Sequence, residues 1–559
     1  MSARVPTSGV AALAAVGSLV AACALVVQES GPNQAAHFAL VRSLADGTAE
    51  IDPRETIDAS YVDGRYYAAK APGLALATLP WYGVLRVAGA QDGSLASAET
   101  YRNRVWQLGL VGAVLPFAAL LVLVAVSAER FVPGYGIATA VLLGAGTLLL
   151  PFASLFFDHM LAAALGYASF VTLLLARTRP FGDRRLALAG LLAGLGIVVE
   201  FPLALVALAV GVYGLVGGFA WRRGGAYAAG VVTGVLPLLA YNLWAFGSPS
   251  RLSYTNALEA EVGTGEPVVG ANDEGFYGVG LPDPRAALSL LLSEKGLAIV
   301  TPLAVVAVAG LPLLWRAGRR AEAVACALVP ALFLAYNAAY YLPFGGQGPG
   351  PRFLVAALPF LALPLAFALQ ARPVVTAGVG VVSAAVMLLA TTTDPLTGSE
   401  YGIPTWLDGL REAEVAESVP SLVGLGQLAG IALVAALAIL ACVLAVSALP
   451  LEPRGVGLLL AVLAAWFVLV RAAPDLLPAD AENGTREGAV AAAILLATLV
   501  VGLALSLRRG LVALAPLVPL VLLATPQLAD RPRVALAVAA VVGLVAASWW
   551  SLSTERLRR

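Results

Sequence analysis

Apolar runs of about 18–22 residues recur from one end of this chain to the other, and each is long enough to cross a bilayer as an α-helix. Hydrophobic residues make up 60% of the sequence and charged residues only 12%, a balance that excludes a soluble globular protein. The sequence therefore predicts an all-α polytopic membrane protein.

We predict about sixteen transmembrane helices from these runs. They lie near residues 8–28, 105–127, 135–153, 158–176, 186–199, 202–220, 226–245, 296–315, 322–342, 353–371, 374–393, 427–449, 456–472, 488–507, 511–527 and 533–551. The 186–220 pair is divided only by the short Glu200-Phe201-Pro202 segment.

The positions of the arginines predict the orientation of the helices. With the N-terminus inside, the short inner loops are rich in arginine, as the positive-inside rule requires. The long loops 29–102, 246–295 and 394–426 then lie outside and hold most of the carboxylates. We expect a multi-pass plasma-membrane protein with both termini in the cytoplasm and its active site on the outer face.

The remaining composition limits the partners and cofactors. No basic patch interleaved with aromatics is present, so nucleic acid is not an expected partner. The apolar spans make the lipid bilayer an expected partner. All three cysteines lie inside predicted spans, which argues against disulfides and thiolate metal sites. The two histidines do not have a metal-binding spacing. No metal site is predicted and no cofactor is required, although the acidic outer loops leave room for one divalent cation.

The first outer loop, residues 29–102, holds the strongest candidates for chemistry. Its central part contains two carboxylates, two adjacent tyrosines and one of only two lysines, namely Asp58, Asp63, Tyr66, Tyr67 and Lys70. The segments 34–44 and 73–86 have apolar patterns too short to span, and we predict interfacial helices there. The turn after Lys70 would place its ammonium group at the bilayer surface, where lipid phosphates lie.

Several motifs resemble those of GT-C integral-membrane glycosyltransferases, the group that includes protein O-mannosyltransferases and the aminoarabinose transferases of lipid A. The first loop supplies Asp58, then Asp63-Gly64 before a tyrosine pair, and Lys70 before Pro72-Gly73. Later similarities are the segment 241–254, the segment 278–302, and the glycine-rich 345–353 with Arg352. The resemblance covers roughly residues 1–370, and the arginine-rich, alanine-rich composition is typical of a GC-rich bacterial genome, such as an actinobacterial one.

The resemblance implies transfer of a sugar from a polyprenyl-phosphate donor to a cell-envelope glycan, lipid or protein, with inversion. Such a reaction needs a base for the acceptor hydroxyl and cations for the leaving phosphate. Asp58, or else Asp63, is the candidate base, and Lys70 and Arg352 are the candidate phosphate ligands. Candidate substrate-binding residues are Tyr66, Tyr67, His159, Glu200 and Tyr254.

Each of these residues also has a purely structural interpretation. Asp58 and Asp63 can simply solvate and cap turns, and Asp63-Gly64 is a turn signal by itself. Lys70 can be an interfacial anchor, His159 can cap a hairpin, and Glu200 can mark a hairpin tip. His37 is expected on the polar face of its helix rather than at a ligand site.

One departure from the family pattern concerns the start of the first loop. Family members carry an Asp-Glu pair after the first span, where this chain has Asn33-Gln34, and neither amide can act as a base. Either the base has moved along the loop, which we favour, or this chain performs different chemistry.

We therefore divide the chain into a catalytic core, residues 1–426, and a C-terminal helical region of unknown role, residues 427–559. Two other functions remain open. A transporter or flippase for a lipid-linked sugar would need polar residues along a path through the spans, which are nearly free of them. A non-catalytic scaffold would explain Asn33-Gln34.

Overall fold

The computed structural model describes residues 9–93, 97–176, 181–216, 220–259, 267–397 and 402–476, and these form a mainly helical bundle. The predicted spans 488–507, 511–527 and 533–551 lie outside the described residues. Six described helices are long and apolar enough to cross a membrane: Ala98–Phe131, Trp221–Phe246, Arg320–Ala339, Arg352–Ala371, Pro373–Thr392 and Gln427–Ser447. The described chain is thus that of a multi-pass membrane protein.

The helices follow one another along the chain with few long interruptions. In order they are α1 (Gly9–Leu25), α2 (Pro32–Ala45), α3 (Gly73–Val87), α4 (Ala98–Gly109), α5 (Leu115–Phe131), α6 (Gly136–Ala145), α7 (Leu149–Ser154), α8 (His159–Leu174), α9 (Asp183–Val199), α10 (Leu203–Gly214), α11 (Trp221–Phe246), α12 (Pro284–Leu292), α13 (Leu297–Val300), α14 (Pro302–Arg316), α15 (Arg320–Ala339), α16 (Ala362–Ala371), α17 (Pro373–Thr392), α18 (Ile403–Arg411), α19 (Val419–Leu422), α20 (Gln427–Ser447) and α21 (Val456–Leu476). A short π-helix, Leu110–Val114, joins α4 to α5, and a 3-10 helix, Arg352–Leu361, precedes α16.

The expected count of about sixteen spans is not confirmed. Predicted spans up to residue 472 coincide with helices, but several of those helices are shorter than a bilayer crossing or are broken. The 296–315 span, for example, belongs to a helix pair bent by 93° between Val300 and Pro302. Hydropathy averages over such breaks, because the residues on both sides are equally apolar.

The first long loop contains a small β-hairpin that an all-α prediction does not include. Strand β2 (Ala59–Val62) pairs with β3 (Arg65–Ala68), and Asp63 and Gly64 form the connecting turn with φ angles of 51° and 83°. Positive φ at both central residues is the signature of the type I′ turn that fits the twist of a hairpin. A second pair, β1 (Val26–Val27) with β4 (Glu417–Ser418), joins the chain just after α1 to the long loop 394–426.

Helix α2 is covered by protein, which corrects the expectation of an interfacial helix. Residues 33–41 are buried, and α2 packs against α3 and the hairpin. Asp46 ends the helix and Gly47 follows with a φ of 79°. By contrast, α3 leaves Val84 and Val87 exposed, as an interfacial helix would.

Contacts between loops define two ends of the bundle. At the loop end, Ser60 Oγ donates to the Ser253 carbonyl at 2.8 Å and Lys295 Nζ donates to the carbonyls of Gly348 and Thr397 at 2.7 Å each. At the opposite, arginine end, Arg222 pairs with Asp183 at 2.8 Å. The long loops thus contact one another at one end, and the short turns that hold Asp183 and Arg222 meet at the other.

The helices α9 and α11 approach each other closely through glycines. A Cβ atom on Gly194 would lie 2.3 Å from the Val231 carbonyl oxygen, and one on Gly234 would lie 2.4 Å from that of Leu191. Small residues four apart allow membrane helices to come into backbone contact. This contact fixes the C-terminal end of α9, where Glu200 follows.

Candidate active site at the loop end

The β2–β3 hairpin brings Asp58 and Lys70 together. Ala59 pairs with Ala68, and the Ala69 amide donates to the Asp58 carbonyl at 2.9 Å, so both residues leave the open end of the hairpin side by side. Lys70 Nζ lies 2.8 Å from Asp58 Oδ2. The lysine side chain is 9% exposed and the aspartate side chain 32% exposed, so the carboxylate is accessible and the ammonium is enclosed.

Two opposing effects set the pKa of Asp58. Burial raises the pKa of this carboxyl, but the Lys70 ammonium and the Arg352 guanidinium outweigh burial and leave the pKa below its usual value. Asp58 is therefore an ionised carboxylate at neutral pH, and its basicity is suppressed as long as Lys70 stays beside it.

A second cluster is formed by Asp158, His159 and Glu200. Asp158 and His159 begin α8, and Glu200 follows the last residue of α9. His159 Nδ1 lies 3.4 Å from Asp158 Oδ1 and 3.2 Å from Glu200 Oε2, and all three residues are buried. These three side chains offer one nitrogen and two oxygen ligand atoms within 4.8 Å of one another.

Burial dominates the electrostatics of this cluster. It raises the pKa of Glu200 to about 8, against the lowering effect of Arg352. It also raises the pKa of Asp158, although His159 acts in the opposite direction. The two carboxyl groups therefore resist ionisation together when no cation lies between them.

His37 on α2 adjoins this cluster, contrary to the expectation of a polar-face residue. Its side chain is fully buried, and Nε2 lies 3.7 Å from Asp158 Oδ2. Burial lowers the pKa of His37 well below its usual value, and the charge of Lys70 acts in the same direction. The imidazole is neutral at neutral pH.

Arg352 extends the cationic side of the site. It begins the 3-10 helix, is 9% exposed, and places its guanidinium 5.6 Å from the Phe157 ring centroid. Gly345, with a φ of 79°, lies so close that a Cβ there would be 2.6 Å from Arg352 Nε. The glycine-rich segment is thus needed to let the chain wrap around the guanidinium.

An aromatic wall completes the site, and sequence reasoning missed part of it. Tyr254 packs against Phe201 with ring centroids 5.1 Å apart, and burial raises the pKa of its phenol. Tyr336 stacks on Tyr340 at 5.7 Å, and Tyr340 meets Phe353 edge to face at 5.5 Å. The spacing of four residues between Tyr336 and Tyr340, at the end of a predicted span, is the signal that could have identified this pair.

Three of the predicted site residues lie apart from this group. The Asp63 side chain is 79% exposed at the hairpin turn and pairs with Arg251 at 2.9 Å. Tyr66 packs on Tyr61 at 4.9 Å, and Tyr67 packs on Phe246 at 4.9 Å. The structure thus brings together Asp58, Lys70, His159, Glu200, Tyr254 and Arg352, and it leaves Asp63, Tyr66 and Tyr67 on the hairpin.

Asn33 and Gln34 are buried at the start of α2. Gln34 Oε1 accepts a hydrogen bond from the Gly31 amide at 2.8 Å, which satisfies one of the free donors at the helix terminus. Asn33 is also buried, at 5% exposure. Gln34 is therefore engaged in capping the helix.

An apolar cavity of about 280 Å³ lies along the helix that Arg352 begins. Leu354, Leu358 and Leu361 of that helix line it together with residues of α12 to α15. A larger apolar cavity, about 770 Å³, lies between α17 and α20, and none of the described side chains that line it is charged. Leu354, which lines the smaller cavity, lies two residues beyond Arg352 on the same helix.

No protein-family model matches the chain, and no curated protein matches it. Two crystal structures of ArnT from Cupriavidus metallidurans are similar to it, one bound to undecaprenyl phosphate and one in the apo state. They share 15% and 14% identity with this chain, each with a TM-score of 0.45 and coverage of 91% of this chain and 79% of theirs.

Proposed function

We propose that this protein is an inverting membrane glycosyltransferase that moves a sugar from a polyprenyl-phosphate donor to a cell-envelope glycan, lipid or protein. The observation that carries the proposal is the pairing of the accessible Asp58 carboxylate with the enclosed Lys70 ammonium, 2.8 Å apart, beside Arg352. A base and a phosphate-binding cation are the two groups that this reaction requires.

The close pairing of Lys70 with Asp58 supports a mechanism in which binding of the donor phosphate activates Asp58 as a base. When the donor phosphate approaches, Lys70 exchanges Asp58 for a phosphate oxygen, and Arg352 binds a second oxygen. Loss of the lysine contact then raises the pKa of Asp58 and makes it a better proton acceptor. The base is therefore activated only when the donor is in place.

The chemical step is a single displacement at the anomeric carbon. Asp58 takes the proton of the acceptor hydroxyl while that oxygen forms a bond to the anomeric carbon. On the opposite face the bond from this carbon to the phosphate oxygen breaks, and both electrons leave with the polyprenyl phosphate. Lys70 and Arg352 stabilise the negative charge that develops on the leaving phosphate.

The apolar cavity below Arg352 supports a lipid-linked donor. A polyprenyl phosphate has a charged head and a long apolar tail. Leu354 lines the 280 Å³ cavity two residues beyond Arg352 on the same helix, so apolar surroundings lie near a donor head bound at the guanidinium. Tyr254 and its aromatic neighbours offer ring faces of the kind that pack against sugars, which is why we assign them to substrate binding.

Matched substitutions on the hairpin test the proposal. Polyprenyl-phosphate mannose and polyprenyl-phosphate arabinose are offered to the purified full chain, and donor binding and sugar transfer are measured separately. We expect Asp58→Asn to keep donor binding and to lose about 10²–10⁴-fold in turnover, the usual contribution of a general base. Lys70→Ala should weaken donor binding, because it removes a phosphate ligand.

Asp63→Asn is the matched comparison, because it changes a second aspartate of the same hairpin that lies at the exposed turn. Turnover near that of the wild type in Asp63→Asn, beside loss in Asp58→Asn, assigns the base. Full transfer by both variants would overturn the mechanism. Binding without transfer by the wild type would favour a flippase, and no binding of either donor would favour a scaffold.

A further inference from the structure

Asp158, His159 and Glu200 form a buried cluster, and several of its polar atoms have no hydrogen-bond partner among the described residues. The three residues are 4%, 2% and 3% exposed. Both nitrogens of His159, both carboxylate oxygens of Glu200 and Oδ1 of Asp158 are buried without a hydrogen-bond partner among the described residues. Because buried polar atoms are almost always hydrogen-bonded, unsatisfied atoms on three neighbouring side chains, with one ligand atom of each within 4.8 Å of the others, indicate a missing ligand.

The two nitrogen–oxygen distances in the cluster match edges of a metal coordination polyhedron, and all three ligand atoms lie within 4.8 Å of one another. His159 Nδ1 is 3.4 Å from Asp158 Oδ1 and 3.2 Å from Glu200 Oε2. A tetrahedral ion with bonds of about 2.1 Å to nitrogen and oxygen has ligands about 3.4 Å apart. Although these atoms are close together, they are not aligned so as to form hydrogen bonds with one another. The imidazole and both carboxylates are therefore free to coordinate an ion.

We propose that Asp158, His159 and Glu200 bind a first-row divalent transition-metal ion, of the Mn²⁺ and Zn²⁺ class. An imidazole nitrogen with two carboxylates suits these ions, whereas Mg²⁺ and Ca²⁺ prefer sites made only of oxygen. A dication would also balance the negative charges of both carboxylates when they are ionised.

The surrounding structure holds the ligands in position before an ion arrives. Phe152, Phe157 and Phe353 surround the His159 ring at centroid distances of 5.3, 5.7 and 5.7 Å. The helices that carry the ligands are joined by a hydrogen bond from Ser169 Oγ to the Ala189 carbonyl at 2.7 Å. Since the ligands come from the start of α8 and the end of α9, a bound ion would cross-link these helices at the loop end.

No sequence motif predicts this site, because its ligands come from the ends of two separate helices. His159 and Glu200 are far apart in the chain, and the closeness of the two helices depends on packing. The proposal goes beyond glycosyl transfer and does not depend on it, because metal binding is measured without any sugar donor.

The test uses the full chain, purified in detergent through an affinity tag that contains no histidine and stripped of metal with a chelator. Mn²⁺ is titrated and the electron paramagnetic resonance signal of the free ion is followed; Zn²⁺, Mg²⁺ and Ca²⁺ are then added as competitors. The variants are Glu200→Gln and His159→Gln. Glu322→Gln is the matched control, because Glu322 is also a buried glutamate, 4% exposed, but lies near Tyr213.

We expect one saturable Mn²⁺ site in the wild type and in Glu322→Gln, displaced by Zn²⁺. The affinity should fall by about tenfold or more in both ligand variants, since each lacks one metal–ligand bond. Zn²⁺ should also raise the unfolding temperature of the wild type and not that of the variants.

Equal Mn²⁺ affinity in the wild type, Glu200→Gln and His159→Gln would overturn the proposal, as would the absence of saturable binding. Displacement by Mg²⁺ or Ca²⁺ as readily as by Zn²⁺ would overturn the assignment to transition metals. If one ligand variant does not elute from size exclusion like the wild type, the other decides, because its substitution lies on a different helix.

Discussion

Asp58 and Asp63 lie in the same hairpin, yet their surroundings suit them to different tasks. Asp58 precedes β2, pairs with the enclosed Lys70, and experiences the charge of Arg352. Asp63 occupies a turn position with a positive φ, is exposed, and pairs with the half-exposed Arg251. Sequence spacing could not distinguish them, because the difference depends on which end of the hairpin faces the bundle.

The pH dependence of transfer should report the Asp58–Lys70 pair. In the wild type the pKa of Asp58 is lowered, so the carboxylate remains ionised and kcat/KM should show no loss from this group above pH about 4. In Lys70→Met the largest charge that opposes burial is lost, Arg352 becomes the main opposing group, and the pKa of Asp58 rises. Because a base acts only when deprotonated, activity of the variant should fall as the pH drops through that raised pKa.

The expected upward shift of the acidic limb in Lys70→Met is about one to three pH units, the usual effect of an opposite charge at this distance. The measurement is kcat/KM between pH 4 and 8, values chosen to bracket the usual carboxyl range. Arg86→Met is a suitable control, because Arg86, near the end of α3, pairs with the exposed Asp46 at the end of α2 and not with Asp58. Parallel profiles for wild type and Lys70→Met would show that Asp58 is not the base.

At the level of elements, glycines on α9 and α11 determine where Glu200 lies. The two helices are in backbone contact at Gly194 and Gly234, and α9 ends immediately before Glu200. Any change that separates these helices would move the end of α9 relative to α8. The position of the Glu200 carboxylate therefore depends on the contact between α9 and α11 at these glycines.

Gly234→Ala should destabilise the bundle, although alanine is the better helix former. Its Cβ would lie 2.4 Å from the Leu191 carbonyl oxygen, and overpacking of this kind costs about 1–3 kcal/mol. The measurement is the apparent unfolding temperature of the protein in detergent, which should fall.

The matched control for this substitution is Gly225→Ala on the same helix. A Cβ on Gly225 meets nothing within 4 Å, so only the gain in helix propensity, about 0.5–1 kcal/mol, should remain. The expected order of unfolding temperature is Gly234→Ala below wild type, with Gly225→Ala equal to wild type or above. An unchanged Gly234→Ala variant would mean that α9 and α11 are not in close contact.

Local signals in the sequence identified some elements and not others. The Glu200-Phe201-Pro202 break separates α9 from α10 as predicted, because proline cannot continue the first helix. The Asp63-Gly64 turn was recognised, yet the four-residue strands around it were too short to show a reliable period. The burial of His37 could not be predicted, since it depends on the hairpin and α3 folding over α2.

At the scale of the whole molecule, the long loops and the short turns lie at different ends of the bundle. The candidate site and the long loops share one end, where ion pairs such as Arg251–Asp63 lie, while the short turns that hold Arg222 and Arg319 lie at the other. The positive-inside rule predicts that the end with the short, arginine-rich turns faces the cytoplasm. The number of crossings was less predictable, because broken and full-length helices have the same hydropathy.

This separation predicts which end faces the cell exterior. Ser250 follows α11 at the loop end and Arg184 lies near the start of α9 at the arginine end, and both are exposed. In intact cells, a membrane-impermeant maleimide should label Ser250→Cys and leave Arg184→Cys unlabelled until the membrane is permeabilised. The wild type serves as the background, since Cys23, Cys326 and Cys442 are all buried. The reverse labelling pattern would place the Asp58 site on the cytoplasmic side, where an outer-face acceptor could not reach it.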